Sequence, residues 1–311
     1  MRPLVTIAAI LTLVTPALAS DPPALISSWG GTGSGPGQFN HPRDVAVAPN
    51  SNVYVVDRDN SRVQYFTSSG GYLGEWGTSG TGPGQFQSPH GIAIDTDGNV
   101  YVTDLPDRVQ KFTATGDYLM TFADEHIARP LGIAVDGEGN LYLGNTHRLY
   151  VSKFDATGQF VMDFTAFSSA YSLELDGHGC VLVSNQSGPH LQRFTADGTL
   201  AARLAPSGIP EDHARGLGVD QAGNALFVWW SDETPQDKIH VWAHDAFQGL
   251  DSWYPPTPPG GSTPQIEDLA VTPDGVVYLA DFGNDAILKV QYTVPVPTVT
   301  STWGRLKSIY R

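Results

Sequence analysis

The sequence predicts an all-β fold: a six-bladed β-propeller of four-stranded antiparallel blades, closed by the N-terminal strand in the last blade. Three observations lead there. First, residues 85–122 hold four short runs in which β-branched and aromatic residues alternate at period two: 91–95 (GIAID), 99–104 (NVYVTD), 108–112 (RVQKF) and 118–122 (YLMTF). Turns rich in Gly, Asp and Thr separate them, so they read as strands of a meander rather than as helix. One such meander has two open edges and too little core to stand alone. Second, the unit repeats. The first apolar residue of the innermost run falls at Val45, Ile92, Ile133, Leu173, Leu217 and Leu269, at intervals of 47, 41, 40, 44 and 52. A period of about 40–45 residues with four strands per unit is that of blades around a channel. Third, the last unit has no fourth run after Tyr292, whereas 26–30 (ISSWG) echoes 72–77 (YLGEWG), and WGGTGSGPGQF at 29–39 returns as WGTSGTGPGQF at 76–86. The N-terminal run is therefore assigned to the sixth blade, where both ends of the chain meet in one sheet.

Taken in order, residues 1–19 have the form of a secretory signal: Arg2, an apolar run over 4–14, then Ala17-Leu18-Ala19 ahead of Ser20. That run is too short to span a bilayer, and no other stretch approaches the roughly 20 apolar residues a span requires, so a secreted or periplasmic protein is expected. Residues 20–292 form the propeller. Second strands recur at 52–57, 99–104, 140–145, 180–185, 224–230 and 276–281, and third strands at 62–66, 108–112, 150–154, 190–194, 238–242 and 286–290. Units four and five fit least well. Two connections are longer than the rest, 207–213 before unit five and 251–264 (DSWYPPTPPGGSTP) before unit six. Both are expected on the face that also carries the loops between second and third strands, where repeat proteins usually bind. The aromatic pair Trp253-Tyr254, in the second of them, is expected to pack beneath the loop rather than to stand out as an exposed anchor. Residues 293–302 read as a Pro/Thr/Val-rich linker and 303–311 (WGRLKSIYR) as a short basic tail.

Composition narrows function. The chain carries 17 basic against 32 acidic residues, a net charge of −15, which repels phosphate backbones and argues against a nucleic-acid partner. Its one cysteine, Cys180, has no partner for an internal disulfide, so packing must hold the fold together.

The repeated motif has a recognisable form. PLGIAVD at 130–136, DGNVYVTD at 97–104 and RVQKF at 108–112 resemble NHL repeats, and the likeness runs from Trp29 to Gln291. It implies a six-bladed propeller. It leaves function open, because propellers of this type include scaffolds, ligand- and RNA-binding domains and a few lyases, and function has to be argued from the site. The tail is similar to short endings of some exported bacterial proteins.

The candidate site is the ring of residues just before each innermost strand. Two positions ahead of the six markers stand Arg43, His90, Leu131, Tyr171, Arg215 and Glu267, and one position ahead stand Asp44, Gly91, Gly132, Ser172, Gly216 and Asp268. Positions that only packed would be alike in every repeat; these differ in charge and size, which suits a site assembled from several blades. Arg43, Asp44, His90, Tyr171, Arg215, Glu267 and Asp268 are the ligand-binding candidates, with an ion pair from Arg43 to Glu267 or Asp268 as the structural alternative. His90, in Ser-Pro-His-Gly-Ile, resembles a zinc-binding histidine of peptidyl-hydroxyglycine amidating lyases, but the other entrance positions hold no histidine to complete a zinc site. Glu174 departs from its column, which otherwise reads Ala46, Ala93, Ala134, Gly218 and Ala270. A carboxylate among those small residues is either solvated in the channel or, with Asp44, Asp268 or Glu267, a ligand for calcium, as the resemblance to calcium-dependent lactonase propellers would allow. Asp57, Asp104, Asn145, Asn185 and Asp281, at the ends of second strands, read as turn caps.

The reading favoured is a non-catalytic propeller that binds a protein, peptide or small-molecule ligand through its upper face, as a monomer with no integral membrane segment. The alternative is a metal-dependent lyase or hydrolase using His90 and Glu174. No cofactor is expected under the first reading; calcium or zinc would serve the second.

Overall fold

A computed structural model describes residues 23–166, 168–186, 191–204, 213–230, 236–243 and 249–293. The expected signal segment, linker and tail, and residues 207–212 of the first long connection, lie outside them. The described residues contain six four-stranded antiparallel sheets. Blade one comprises β2 (Pro42–Val47), β3 (Val53–Asp57), β4 (Arg62–Phe66) and β5 (Tyr72–Trp76). Blade two comprises β6 (Pro89–Ile94), β7 (Val100–Asp104), β8 (Arg108–Phe112) and β9 (Tyr118–Phe122), and blade three β10 (Pro130–Val135), β11 (Leu141–Asn145), β12 (Tyr150–Phe154) and β13 (Phe160–Thr165). Blade four has β14 (Ala170–Leu175), β15 (Val181–Asn185), β16 (Leu191–Phe194) and β17 (Leu200–Leu204). Blade five has β18 (His213–Val219), β19 (Ala225–Trp230), β20 (Lys238–Trp242) and β21 (Gly249–Trp253). Blade six has β22 (Ile266–Val271), β23 (Val276–Asp281) and β24 (Ala286–Gln291), and its outer strand is β1 (Leu25–Gly30).

The ring closes twice. At the inner radius the first strand of each blade touches the first strand of the next, and β22 touches β2. At the outer radius β1 pairs with β24, Ser27 opposite Lys289 and Trp29 opposite Ile287. Asp285 fastens this junction: its carboxylate accepts the Thr32 hydroxyl at 2.6 Å and the His41 N–H at 2.7 Å, and its carbonyl accepts the Gly31 N–H at 2.7 Å. Gly30, at φ +120°, has no room for a side chain, because a Cβ there would lie 2.6 Å from the Asp285 carbonyl oxygen.

The core is a ring of blade-to-blade interfaces. Six apolar clusters each join two neighbouring sheets; the one between blades six and one combines Phe39, Val55 and Phe66 with Tyr278 and Ile287. Strands β3, β7, β11 and β15 are buried at every residue because sheets cover both of their faces. Burying one such Val or Phe is worth about 1.5–3 kcal/mol, and no blade buries its own alone.

The duplicated glycine-rich segments adopt the same loop. Arg62 threads the first, donating to the carbonyls of Ser34, Gly35 and Gln38 at 2.8–3.0 Å, and Arg108 donates to those of Thr81 and Gln85 in the second. One expected loop is shorter than its sequence suggests. Residues 251–253 of the 251–264 connection belong to β21, because alternation continues through Trp253 before the prolines begin. Of the pair expected to pack beneath the loop, Trp253 does so, 2% exposed and stacked on Tyr292, whereas Tyr254, the first residue past the strand, is 44% exposed with the Lys238 ammonium over its ring. Among the described residues no helix is long and apolar enough to cross a membrane.

Candidate ligand-binding site at the channel entrance

The entrance residues sit at β-bulges, with Asp268 the first residue back in the ladder. In blade one Pro42 pairs with Asp57 and the ladder resumes only at Val45 opposite Val55, leaving Arg43 and Asp44 outside the regular pairing. The same break isolates His90 and Gly91, Leu131 and Gly132, Tyr171 and Ser172, and Arg215 and Gly216; in blade six it falls between Ile266 and Asp268, freeing Glu267. A bulge twists the strand and re-aims its side chains. Here it turns one residue per blade toward the upper mouth of the channel and presses the next against the neighbouring blade. That pressure explains the glycines: a Cβ on Gly91 would lie 2.2 Å from the Leu131 carbonyl oxygen, and one on Gly216 would lie 2.4 Å from the Asp268 Cα.

At the upper level the side chains converge on Glu267, which is 5% exposed. Arg43 Nη1 reaches its Oε2 at 2.6 Å, the Tyr171 hydroxyl donates to the same oxygen at 2.6 Å, and Arg215 Nη1 donates to Oε1 at 3.0 Å. Four blades thus meet on one carboxylate, and the expected Arg43–Glu267 pair is part of a larger network. His90 joins through Arg43, whose Nη2 lies 3.4 Å from His90 Nε2, while Nδ1 sits 3.3 Å from the Ser88 carbonyl oxygen. With Nδ1–H donating to that carbonyl, Nε2 is left as an acceptor toward the guanidinium. Burial first, then the positive charge of Arg43, push the His90 pKa down to about 3, so the ring is neutral at physiological pH. Burial and the Glu267 charge push the Tyr171 phenol up, keeping it a hydrogen-bond donor. Aromatic rings support both guanidinium groups: Arg215 Cζ lies 4.7 Å from the Trp230 ring centroid and Arg43 Cζ 5.8 Å from that of Phe282. Above this network is a cleft of about 450 Å³ whose rim adds Arg129, His147 and Gln186.

The lower level is different. Asp44 and Asp268 line a channel cavity of about 190 Å³ together with Glu174, and both also border a small pocket beneath Arg43, His90 and Tyr171. Asp44 accepts N–H groups of its own blade and the next, from Val45 at 2.6 Å and Ile92 at 2.8 Å. Asp268 likewise accepts those of Leu269 at 2.8 Å and Leu217 at 3.0 Å. No cation reaches the three acids among the described residues. Burial, then repulsion from Asp268, raises Glu174 to about 8; burial, then repulsion from Asp268, raises Asp44, and burial, with repulsion from Glu267, raises Asp268.

The structure thus sorts the candidates into two levels: Arg43, His90, Tyr171, Arg215 and Glu267 line the entrance cleft, while Asp44 and Asp268 join Glu174 beneath it. His90 and Glu174 do not share a cavity, and the nearest charged group to His90 Nε2 is a guanidinium, which opposes a second cation there. Among the described residues no three His, Cys, Asp or Glu side chains stand close enough to hold a metal ion together. The polar ends of the second strands tie down the connections that arrive from the preceding blade. Asp57 accepts the Asn40 N–H at 2.8 Å, Asp104 that of Ser88 at 2.7 Å, Asn145 that of Ala128 at 2.8 Å and Asp281 that of Gln265 at 3.0 Å.

Sequence reasoning missed Arg129, Trp230 and Phe282. The first was within reach, since the column four before each marker reads His41, Ser88, Arg129, Ser169, His213 and Gln265, again unlike from repeat to repeat. The two aromatic rings end or follow second strands, and only the fold brings them beneath the arginines.

Comparison with known proteins supports the architecture. A family model described as a 6-bladed beta-propeller matches residues 38–163. No curated protein matches the chain. Among solved structures, a streptogramin B lyase is 16% identical over 80% of this chain and 78% of its own, with a TM-score of 0.59. A catalytically inactive variant of virginiamycin B lyase from Staphylococcus aureus, solved with quinupristin, is 13% identical over 84% of this chain and 82% of its own, with a TM-score of 0.62. Kuenenia stuttgartiensis hydrazine synthase is 12% identical over 78% and 74%, with a TM-score of 0.59. At these identities the likeness is one of fold.

Proposed function

We propose that this chain is an exported, NHL-type binding propeller that takes a peptide, protein segment or small ligand in its upper cleft, without catalysing a reaction on it. One observation carries the reading: unlike side chains from neighbouring blades converge on Glu267 and fix one another, as preorganised recognition requires. The arrangement supplies donors and aromatic surface at the mouth of a cleft large enough for a ligand of a few hundred Å³. His90, held neutral with its free nitrogen against Arg43, suits positioning better than proton transfer near neutral pH. Export rests on residues 1–19, and N-terminal sequencing of the secreted protein, expected to start at Ser20, checks it. A fragment screen on isotope-labelled protein tests the binding site. Resonances of Tyr171, Trp230 and their neighbours should shift together; shifts confined to the outer strands or the lower face would overturn the reading.

A second reading, metal-assisted lyase or hydrolase chemistry, draws on the lower level, where three carboxylates from three blades line one cavity and would have to draw closer together to hold an ion. An all-oxygen set of this kind suits calcium rather than zinc. Calcium should then raise the melting temperature of the wild type and leave Glu174→Gln unchanged. A wild type indifferent to millimolar calcium, and metal-free when purified, removes this reading.

A further inference from the structure

The cleft has a sign. Arg43, Arg129 and Arg215 line it against one carboxylate, Glu267, so the lining carries two more positive than negative charges in a molecule whose net charge is −15. The pairing is also incomplete in its donors. Arg215 gives only Nη1 to Glu267, and Arg129, at the exposed rim, makes no ion pair among the described residues. The nearby acids bond to backbone: Asp107 accepts the Arg129 N–H at 3.1 Å, and Asp237, which feels the Arg215 charge from outside the lining, accepts the Ile266 N–H. Arg215 Cζ lies 4.7 Å over the Trp230 ring, a contact that shields a guanidinium face from water while Nη1 alone is given to Glu267. From these residues we infer that the upper cleft recognises a carboxylate anion, received by the free guanidinium edges of Arg129 and Arg215, with the Glu267 network acting as the rigid floor that keeps Arg215 in place.

This rests on the binding function proposed above and narrows it to a ligand class. A planar carboxylate matches the two parallel N–H groups of a guanidinium, and bonds between charged groups of this kind are about twice as strong as neutral ones. A free organic acid and the C-terminus of a peptide both present such a carboxylate, and the chemistry at the arginines is the same.

Calorimetric titration with three probes separates the outcomes: citrate, N-acetyl-triglycine with a free carboxylate, and the C-terminal amide of that same peptide. At low ionic strength an acid should bind about tenfold or more tightly than the amide, and added salt should weaken it. Binding of citrate alone assigns a free organic acid; binding of the peptide acid as well assigns a C-terminus. Arg129→Asn, chosen because Asn tolerates the backbone φ of +51° at this position, should weaken the acids about tenfold and leave the amide unchanged. Its melting curve should match that of the wild type. Equal affinity for acid and amide, no binding by either acid, or wild-type acid affinity in Arg129→Asn would each overturn the inference. If the amide or neutral fragments still shift the Tyr171 and Trp230 resonances, the cleft remains a binding site of another class; if nothing shifts them, both readings fall.

Discussion

Glu267 and Asp268 are adjacent in sequence and both buried, yet they live in opposite electrostatic worlds. Glu267 points up into two guanidinium groups and a phenol. Asp268 lines the channel cavity with Asp44 and Glu174 and accepts backbone N–H groups, with no cation paired to it among the described residues. The bulge that separates them recurs in every blade, so the backbone supplies two levels around the whole ring, and the choice of side chain alone decides whether a level is paired or frustrated. The upper level is built to hold charge in place. The lower level holds protons, because three like-charged acids around one cavity are not all ionised together near neutral pH.

The largest effect should come from removing the hub. Glu267→Leu leaves Arg43 and Arg215, 16% and 22% exposed, facing each other without a counter-charge. Breaking a buried pair from one side typically costs about 3–5 kcal/mol, and the partial exposure places this case near 3 kcal/mol in urea denaturation. An unchanged midpoint would mean that solvent already screens the arginines.

The lower level should respond in the opposite sense. Glu174 titrates near 8 in the folded protein, above the ordinary glutamate value of 4.5, so the unfolded chain gives up its proton first. Below about pH 4.5 both states hold the proton and no penalty exists; between there and about pH 8 the folded state loses stability as pH rises. Glu174→Gln mimics the protonated acid and should stabilise the protein by on the order of 2 kcal/mol at pH 8, with no gain at pH 4. A gain that is the same at both values would point to packing rather than ionisation.

His90 sharpens the contrast because its sign is reversed. Its folded pKa of about 3 lies below the ordinary 6.5, so the unfolded chain binds the proton more readily. Its contribution is therefore complete above pH 6.5 and drains away as pH falls toward 3. Relative to His90→Gln, the wild type should lose about 1–2 kcal/mol between pH 7.5 and pH 5. Together the two variants should give stability differences of opposite slope from residues on two levels of one channel.

Much of this was legible in advance, and the limits have physical causes. Strand positions followed from period-two alternation, and the closing strand from the echo of 29–39 in 76–86, because each is a local pattern. The entrance residues were found as columns that vary where a repeat should be uniform. The separation of Arg43 from Asp44 was not legible: strict alternation already places neighbours on opposite faces, but nothing in the residues says that a bulge re-aims one upward and the other against the next blade. Glu174 stood out among small residues, yet its raised pKa depends on Asp268, a neighbour 94 positions away in the chain. Arg215 resting on Trp230 is likewise a product of folding.

The smallest effect asks how cooperative the upper level is. Tyr171→Phe removes one donor to Glu267 Oε2 and leaves the ring in place, and Arg43 still reaches the same oxygen at 2.6 Å. Losing one of several donors to an already paired carboxylate should cost about 1 kcal/mol. If the hydroxyl acts only through Glu267, that cost should vanish once Glu267 is gone, so the stability of the double variant Tyr171→Phe with Glu267→Leu should equal that of Glu267→Leu alone. A residual cost of the same size in the double variant would mean that Tyr171 serves the entrance through another partner, and that the two arginines, rather than the hub as a whole, hold the floor of the cleft.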